Sequence, residues 1–381
     1  MIKFAGPDIG QEEVAAVTSC LTSGWLTTGI INKRFEKSFS DFCGSKYALA
    51  VSSCTAALHL CLLAHGIGTG DEVIVSPMTF VSTVNVIVHC GAIPVFVDIK
   101  KENLNIDEKL LDTAITPRTK AIIAVHYAGD PCNMDAINSF ARKRGLVVIE
   151  DAAHALGAKY KGISVGNSDN LVCFSFYPTK NITTIEGGMI TTNNSQLINK
   201  IEQLRLHGMS RDAWRRYMDV QKWDYDVNLI GYKYNLSDVS AAIGLVQLKK
   251  IMEFNAVRKR LSNYYDAQLQ DVPFIQTLVH NECNELSYFL YPILLNNVDR
   301  TSFIQYLYDH GIQTSVLFKP VYLFSAYCRK YNKEDYPICT ELWTRLVCLP
   351  LHVQMTYADI DQIVMCIRNF YTTSNREVLN D

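Results

Sequence analysis

Lys180 is the side chain of this sequence best suited to covalent chemistry, because it follows an apolar run and opens a short loop. A lysine amine is a nucleophile only when it is deprotonated, and burial among apolar groups favours that neutral form. Phe174, Phe176 and Tyr177 precede it and are expected to supply such surroundings. The local pattern fits a surface loop lysine as well, so the assignment depends on other residues.

Asp151 ends an apolar run over residues 146–150, which places it at the mouth of a predicted buried strand. A carboxylate there can hold a pyridine nitrogen in its protonated form. The structural alternative is an N-cap for the helical turn that follows. His154 is predicted either to face the same cavity or to be an ordinary core histidine.

The run Ser-Ser-Cys-Thr-Ala-Ala at residues 52–57 joins a predicted strand to a predicted helix. Its small residues let a phosphate approach the exposed backbone N–H groups of the helix start, where the helix dipole favours an anion. Ser175, at the end of another predicted strand, can add a hydroxyl. Generic helix capping explains Thr55 equally well.

Together these residues offer what a phosphate-bearing aldehyde cofactor requires. Such a cofactor needs a lysine for a Schiff base, a carboxylate on its ring nitrogen, an anion cradle and a group that covers the ring. Phe80, at the start of a predicted helix, is the candidate for stacking on the ring, with an ordinary core aromatic as the alternative. No cluster of His, Cys and Asp has the spacing of metal ligands.

The elements that must position these residues alternate between apolar strands and helices. This pattern is typical of a largely parallel sheet covered on both faces, in which ligands lie beyond the carboxyl ends of the strands. The link over residues 180–187 is too short for a helical crossover, so the last strand is predicted to run antiparallel. Strands are predicted at residues 47–51, 72–76, 94–98, 121–126, 146–151, 171–176 and 188–192, and helices at 55–64, 79–90 and 134–144. The polar residues that end these strands, and that we expect to converge, are Ser52, Ser76, His126, Asp151 and Ser175.

Two units are predicted along the chain. A large unit covers residues 1–250 and includes an N-terminal arm over residues 1–30. A smaller C-terminal α/β unit covers residues 251–381, with strands near residues 287–294 and 312–318. An apolar helix over residues 237–251 would connect the two.

Composition limits the functions that the chain can have. The 381 residues are 48% hydrophobic with a formal net charge of −2, which is typical of a globular protein. The basic residues concentrate only at residues 211–216, a predicted solvated face, so binding to nucleic acid is not supported. The sequence has no run of about 18 apolar residues for a membrane span and no apolar signal region at its start. Twelve cysteines, mostly in apolar runs, are predicted to be buried thiols of a cytoplasmic protein.

With these residues assembled, the sequence resembles the DegT/DnrJ-type sugar-nucleotide aminotransferases, within the fold-type I pyridoxal-phosphate enzymes. Most of the resemblance lies in the combination of Glu-Asp-Ala-Ala-His at residues 150–154 with Ser-Phe-Tyr-Pro-Thr-Lys-Asn at residues 175–181. The other matching stretches are residues 23–29, 52–58, 126–129 and 231–238. The resemblance implies a mainly parallel mixed α/β sheet flanked by helices, followed by a smaller α/β domain.

The resemblance also implies a role for each site residue. Lys180 is the Schiff-base lysine and Asp151 the partner of the pyridine nitrogen. Asn235 matches a residue that reaches the phosphate from the neighbouring subunit, which implies a homodimer with two shared sites. The other implied contacts are Thr55, Ala56 and Ser175 with the phosphate, Phe80 over the ring and His154 beside it.

The implied reaction has two halves: an amino acid, usually L-glutamate, converts the cofactor to pyridoxamine phosphate, which then aminates a 4-keto nucleotide-linked sugar. Through residues 83–88 and 231–238 the sequence most resembles UDP-4-keto-sugar aminotransferases, but three residues depart from the expected pattern. Leu317 and Tyr322 stand where histidines are common, and Asp130 stands where a small or amide residue is usual. These departures fall in predicted substrate-pocket loops, so the sugar and the nucleotide stay open.

Three alternative functions remain at this point. One is a 3-keto sugar aminotransferase. Another is a dehydratase of the same fold, which has a histidine in place of the lysine, and the third is a non-catalytic regulator, in which loss of the lysine or the aspartate would be expected. The presence of Lys180 and Asp151 argues against the last two.

Overall fold

A computed structural model describes residues 1–209 and 225–378 of the chain. Its largest sheet has seven strands in the order β1-β9-β8-β5-β4-β2-β3. The strands of the chain are β1 (Tyr47–Val51), β2 (Glu72–Val75), β3 (Ile93–Phe96), β4 (Thr119–Val125), β5 (Val147–Asp151), β6 (Lys159–Tyr160), β7 (Ile163–Ser164), β8 (Leu171–Ser175), β9 (Gly188–Thr192), β10 (Ile275–Thr277), β11 (Asn284–Glu285), β12 (Tyr291–Leu295) and β13 (Leu346–Leu349).

Five strands of the large sheet, β3, β2, β4, β5 and β8, pair in parallel. β9 runs antiparallel to both β8 and β1, as the short link before it predicts. All seven strands predicted for this sheet are present, with ends within two residues of those expected. The predicted fold class is therefore confirmed.

Helices cover both faces of this sheet. The α-helices of the described residues are α1 (Gln11–Thr22), α2 (Ile30–Cys43), α3 (Cys54–Ala64), α4 (Val81–His89), α5 (Met134–Arg144), α6 (Ser195–Leu204), α7 (Asp238–Leu269), α8 (Arg300–Asp309), α9 (Pro337–Arg345) and α10 (Tyr357–Val378). Local signals set their ends: Asn133 caps the first turn of α5 through its side chain, and Gly145 ends it in the left-handed conformation. None of the helices in the described residues is both long and apolar enough to cross a membrane.

The strand predicted at residues 312–318 is wrong. That segment makes only isolated bridges, from Ile312 to Ile2 and from Ser315 to Cys348. The second sheet instead has the order β10-β12-β13 and takes its edge strand from the short apolar run Leu346–Leu349. Ser315 makes the last bridge to β13, and Leu317 and Phe318 line a cavity at the large sheet instead.

The division into units over residues 1–250 and 251–381 stays a prediction. α7 runs without a break through residue 250, so the connecting helix is longer than the sequence suggested. The first residues pair with the C-terminal part, because Ile2 exchanges backbone hydrogen bonds with Gly311 and Gln313. The basic concentration at residues 211–216 lies outside the described residues.

Candidate functional site

A cavity of about 480 Å³ opens at the carboxyl ends of β5 and β8, where parallel α/β sheets bind ligands. Six of the eight residues predicted for the site line it: Thr55, Phe80, Asp151, His154, Ser175 and Lys180. Ala56 and Asn235 do not line it. The position that the sequence predicts for the site is therefore the position of this cavity.

Lys180 lines this cavity as a half-buried residue, and its Nζ atom lies 4.4 Å from the centre of the Phe289 ring. Burial lowers the pKa of Lys180 to about 8, against the opposing effects of Asp151 and Cys54. A substantial fraction of the amine is thus neutral near physiological pH.

The aromatic surroundings predicted for Lys180 are wrong in part. Phe174 and Phe176 point to the other face of β8, where they pack against Phe35 and Phe39 of α2. Successive side chains of a strand alternate between its faces, so the strand that carries Ser175 toward the cavity carries its phenylalanines away from it. Tyr177 does line the cavity.

Asp151 is the buried carboxylate of the site. Its Oδ2 accepts a hydrogen bond from Thr83 Oγ1 at 2.8 Å, and its Oδ1 accepts one from the backbone N–H of Ala153 at 3.1 Å. Burial raises the pKa of Asp151, and these hydrogen bonds, with the charge of Lys180, oppose that effect. The alternative of a simple helix N-cap does not hold, because no α-helix begins at residue 152.

His154 stacks between two aromatic rings. Its ring centre lies 4.2 Å from that of Phe289 and 5.6 Å from that of Phe318. Burial, together with the neighbouring Lys180, lowers the pKa of His154 well below its ordinary value, so the imidazole is neutral. Its Nδ1 atom has no hydrogen-bond partner, and it can therefore bond to a ligand.

The start of α3 borders the cavity through Ser53, Cys54 and Thr55. Ser53 accepts a hydrogen bond from the N–H of Ala56 at 3.0 Å, so its hydroxyl caps the helix. A side chain at Gly188 would lie 2.6 Å from the carbonyl carbon of Ser53, and only glycine allows this close packing of β9 on the helix start. The cradle is thus made of small residues at a helix N-terminus.

Aromatic and aliphatic side chains form the outer wall. Phe80 immediately precedes α4 with 57% of its surface exposed, and its ring centre lies 5.9 Å from that of Phe318. Leu317 lies beside Phe318, and its carbonyl accepts a hydrogen bond from the hydroxyl of Tyr127.

The structure corrects the placement of two of the three residues that depart from the resembling branch. Leu317 lines the cavity as predicted, but Tyr322 is buried against Tyr336 and bonds to Thr340. Asp130 is buried among polar side chains that hold it away from the cavity. Both residues are buried, and neither lines the cavity.

The polar strand ends converge only in part. Asp151 and Ser175 line the cavity, whereas Ser52, Ser76 and His126 do not. His126 lies behind the site and bonds to Glu150 at 3.0 Å, and Ser76 accepts a hydrogen bond from the N–H of Met78. A sequence pattern locates the edge of the sheet but not the direction of each side chain.

Asn235 lies next to β1, where it bridges to Val51 and donates a hydrogen bond to Thr28 Oγ1 at 2.7 Å. Its predicted reach into a neighbouring subunit stays a prediction.

Several contacts of the site were missed from the sequence, and three of them matter most here. Thr83 bonds to Asp151, Cys54 lies with its sulfur 4.0 Å from the same carboxylate, and Phe289 covers both Lys180 and His154. Phe289 comes from the segment before β12, more than a hundred residues after Lys180, and no local pattern could have indicated that contact. The position of Thr83 three residues after Phe80 was the local indication that this threonine lies near the site.

This arrangement fits an aldehyde cofactor that bears a phosphate. The cavity joins a partly neutral amine, a buried carboxylate, an imidazole with a free nitrogen and a helix start built from small residues. The amine can attack an aldehyde, and the carboxylate can hold a ring nitrogen in its protonated form.

Comparison with known proteins supports the same assignment. The sequence matches the DegT/DnrJ/EryC1/StrS aminotransferase family over residues 7–368. It is 43% identical over 375 residues to the spore coat polysaccharide biosynthesis protein SpsC of Bacillus subtilis, with 97% of this chain and 96% of that protein covered.

Solved structures of sugar aminotransferases share the fold over nearly the whole chain. The putative sugar aminotransferase Spr1654 of Streptococcus pneumoniae in its pyridoxamine-phosphate form has a TM-score of 0.92 and 34% identity, covering 97% of this chain and 98% of that one. Its pyridoxal-phosphate form has a TM-score of 0.90 at 33% identity, with the same coverage. Helicobacter pylori PseC, an aminotransferase involved in the biosynthesis of pseudoaminic acid, has a TM-score of 0.90 and 30% identity, covering 98% and 99%.

Proposed function

Because the chain belongs to the DegT/DnrJ/EryC1/StrS aminotransferase family and is a pyridoxal-phosphate-dependent sugar aminotransferase, we propose that it aminates a 4-keto sugar linked to a nucleotide, with L-glutamate as donor. The observation that carries the proposal is the amine of Lys180 in one cavity with the carboxylate of Asp151. The resemblance in residues 83–88 and 231–238 supports the 4-keto regiochemistry.

Each site residue has a proposed task. Pyridoxal phosphate, when bound, supplies an electron sink that allows a proton to leave the carbon bearing the nitrogen. Lys180 would hold the cofactor and, once its amine is free again, would carry that proton as general base and acid. Asp151 keeps the pyridine nitrogen protonated, and His154 forms a hydrogen bond to the cofactor beside its ring. Phe80 covers the ring. The helix start at Thr55 and Ala56, together with Ser175, holds the phosphate.

Charge supports a substrate whose nucleotide lies outside the cavity. Among the described residues that line it, Lys180 is the one lysine or arginine, and Asp151 and Glu186 are acidic. Because the cofactor phosphate would take the helix start at Thr55, a substrate diphosphate inside would meet Asp151 and Glu186 without a cradle of its own, whereas a neutral sugar would meet Phe289, Phe318 and Leu317. We therefore place the keto sugar in the cavity and the nucleotide at its mouth.

The test is a screen of UDP-, dTDP- and GDP-linked 4-keto sugars with L-glutamate, with release of 2-oxoglutarate and formation of the amino sugar as readouts. We expect one 4-keto nucleotide sugar to be aminated. Amination of only 3-keto sugars would show that the regiochemistry is wrong. The Lys180→Ala variant is the control and should release no 2-oxoglutarate above background.

We also propose a homodimer with shared sites. Phe80, Tyr177 and Ile185 lie at or next to the cavity with half or more of their surfaces exposed, and a second copy would cover them. Asn235 lies outside the cavity of its own chain, as a residue that serves its neighbour would.

A mixing experiment tests the sharing. Lys180→Ala and Asn235→Ala are each expected to be nearly inactive, but a mixed dimer has one site with both native residues. Reassociation of the two variants should therefore restore activity. If Asn235 serves its own chain, mixing restores none.

We propose that the protein works in the cytoplasm in the synthesis of a surface glycan. All twelve cysteines are unpaired, which suits a reducing compartment. The name of SpsC refers to polysaccharide biosynthesis, which supports the pathway class. Measurement of the amino sugar in the surface glycan of cells with and without the gene tests this role.

A further inference from the structure

Thr83 has a contact that neither its helix nor the core requires. It lies in the first turn of α4 with 1% of its surface exposed, and its Oγ1 atom lies 2.8 Å from Oδ2 of Asp151. A threonine in a helix usually bonds to a backbone carbonyl of its own helix. Here the hydroxyl bonds instead to a carboxylate of another element, β5.

A second hydroxyl lies behind the first. Thr79 Oγ1 is 2.9 Å from Thr83 Oγ1, and Thr79 is also 1% exposed. An ionised carboxylate only accepts hydrogen bonds, so the proton of Thr83 points to Asp151. The proton of Thr79 must then point to Thr83. The two hydroxyls form a chain with one direction, and such chains strengthen each hydrogen bond within them.

The other groups that face Asp151 cannot replace Thr83. Ala153 donates to Oδ1 through its backbone, and the thiol of Cys54 lies 4.0 Å from that same oxygen. Among the described residues, Thr83 alone donates to Oδ2. The titratable groups packed around the carboxylate are Lys180 after β8, Cys173 on β8, His126 after β4 and Cys54 on α3.

We propose that Thr83, supported by Thr79, is a positioning residue that keeps Asp151 ionised and fixes the orientation of its carboxylate toward the cofactor ring. The proposal rests on the function proposed above for Asp151. A valine has nearly the shape of threonine without the hydroxyl, so packing alone would be satisfied by Thr83→Val. The hydroxyl matters because burial disfavours the charged carboxylate, and each donor lost disfavours it further.

The first experiment measures pyridoxal-phosphate binding to the apoenzyme over a range of pH, by quenching of protein fluorescence. Ionised Asp151 is the form that binds a protonated ring nitrogen, so binding weakens as pH falls through the pKa of Asp151. Thr83→Val raises that pKa, and its acid limb should therefore lie at higher pH than in the wild type. At neutral pH we expect binding to be roughly 10-fold weaker, as for the loss of one hydrogen bond to a charged group.

Three variants make the test specific. Thr83→Ser keeps the hydroxyl and should restore the wild-type acid limb. Thr79→Val leaves Thr83 in place and should shift the limb in the same direction by less, which keeps the proposal testable if Thr83→Val fails to fold. Thr191→Val is the matched control, because it removes a buried hydroxyl that bonds to the Gly166 carbonyl and does not contact Asp151.

The second readout is the split between kcat and KM in the sugar half-reaction. A residue that acts through Asp151 should lower kcat in Thr83→Val and leave the KM for the sugar nearly unchanged. If Thr83→Val matches Thr191→Val in its acid limb, cofactor affinity and kcat, the proposal is overturned. Cofactor binding is measured without sugar, so a failure of the proposed 4-keto substrate would be recognised separately.

Discussion

Two buried aspartates lie near the ends of neighbouring parallel strands: Asp151 ends β5, and Asp130 follows β4. They have 5% and 1% of their surfaces exposed, respectively. Their surroundings differ. Asp130 receives hydrogen bonds from the side-chain amides of Asn103 at 3.1 Å and Asn284 at 2.8 Å, and it lies 3.2 Å from Nδ1 of His280. Asp151 faces a cavity and an amine.

This difference separates a structural carboxylate from a chemical one. The partners of Asp130 come from two distant segments, so the residue ties the end of β4 to the chain around β11 and has little capacity left for a ligand. Asp151 lines the cavity, and its neighbour Lys180 can lose a proton near pH 8. Burial alone therefore does not identify a catalytic carboxylate. A catalytic carboxylate is identified by its position in a cavity beside an ionisable partner, with hydrogen-bonding capacity left for a ligand.

The largest expected effect is on activity. Asp151→Asn removes the charge that holds the ring nitrogen protonated, and we expect kcat to fall roughly 100- to 10,000-fold, as for other lost catalytic groups. Asp130→Asn should keep the activity within a few-fold of the wild type. Amination assays on the two variants test the comparison, and equal losses would contradict it.

The next effect is on stability, where the loss of Asp130 should cost more than the change at Asp151. Asp130→Ala leaves the buried amide of Asn103 without an acceptor and removes one of the two acceptors of the Asn284 amide, so the free energy of unfolding should fall by about 2 kcal/mol. Asp151→Asn removes a buried charge from the apoenzyme and should cost far less. Urea unfolding of the apoproteins measures both. A larger loss in Asp151→Asn would refute this order.

The smallest effect is a shift in pH dependence. Attack by Lys180 needs its neutral form, so the rate at which the apoenzyme takes up pyridoxal phosphate should rise with pH and level off above about 8. The negative charge of Asp151 raises the pKa of Lys180, so Asp151→Asn should move this profile to lower pH. Asp130→Asn should leave it in place. Stopped-flow measurement of cofactor uptake decides between these outcomes.

The sequence predicts the strands of the sheet more completely than the residues of the site. Strands such as β1 and β9 have their predicted ends because buried parallel and mixed strands are continuous apolar runs between turns. Asp151 and Lys180 could be paired because the carboxyl ends of neighbouring strands meet at one edge. Thr83 and Phe289 could not, since the first approaches from a helix and the second from a segment far along the chain.

The errors have the same origin. Asp130 follows β4 as Asp151 ends β5, and only the fold shows that its carboxylate turns into an amide cluster. The apolar run at residues 312–318 has the composition of a strand, but Leu317 and Phe318 contribute to the cavity wall instead of a sheet. Local patterns specify elements, whereas side-chain direction depends on contacts made across the chain.

The central claim is that Lys180 is the residue that carries pyridoxal phosphate. The direct measurement is borohydride reduction of the protein loaded with the cofactor, which converts a lysine imine into a stable amine, followed by peptide mass spectrometry. We predict that the added mass lies on Lys180 and is absent from the Lys180→Ala variant. A label on another lysine, or no label on the loaded wild-type protein, would contradict the account.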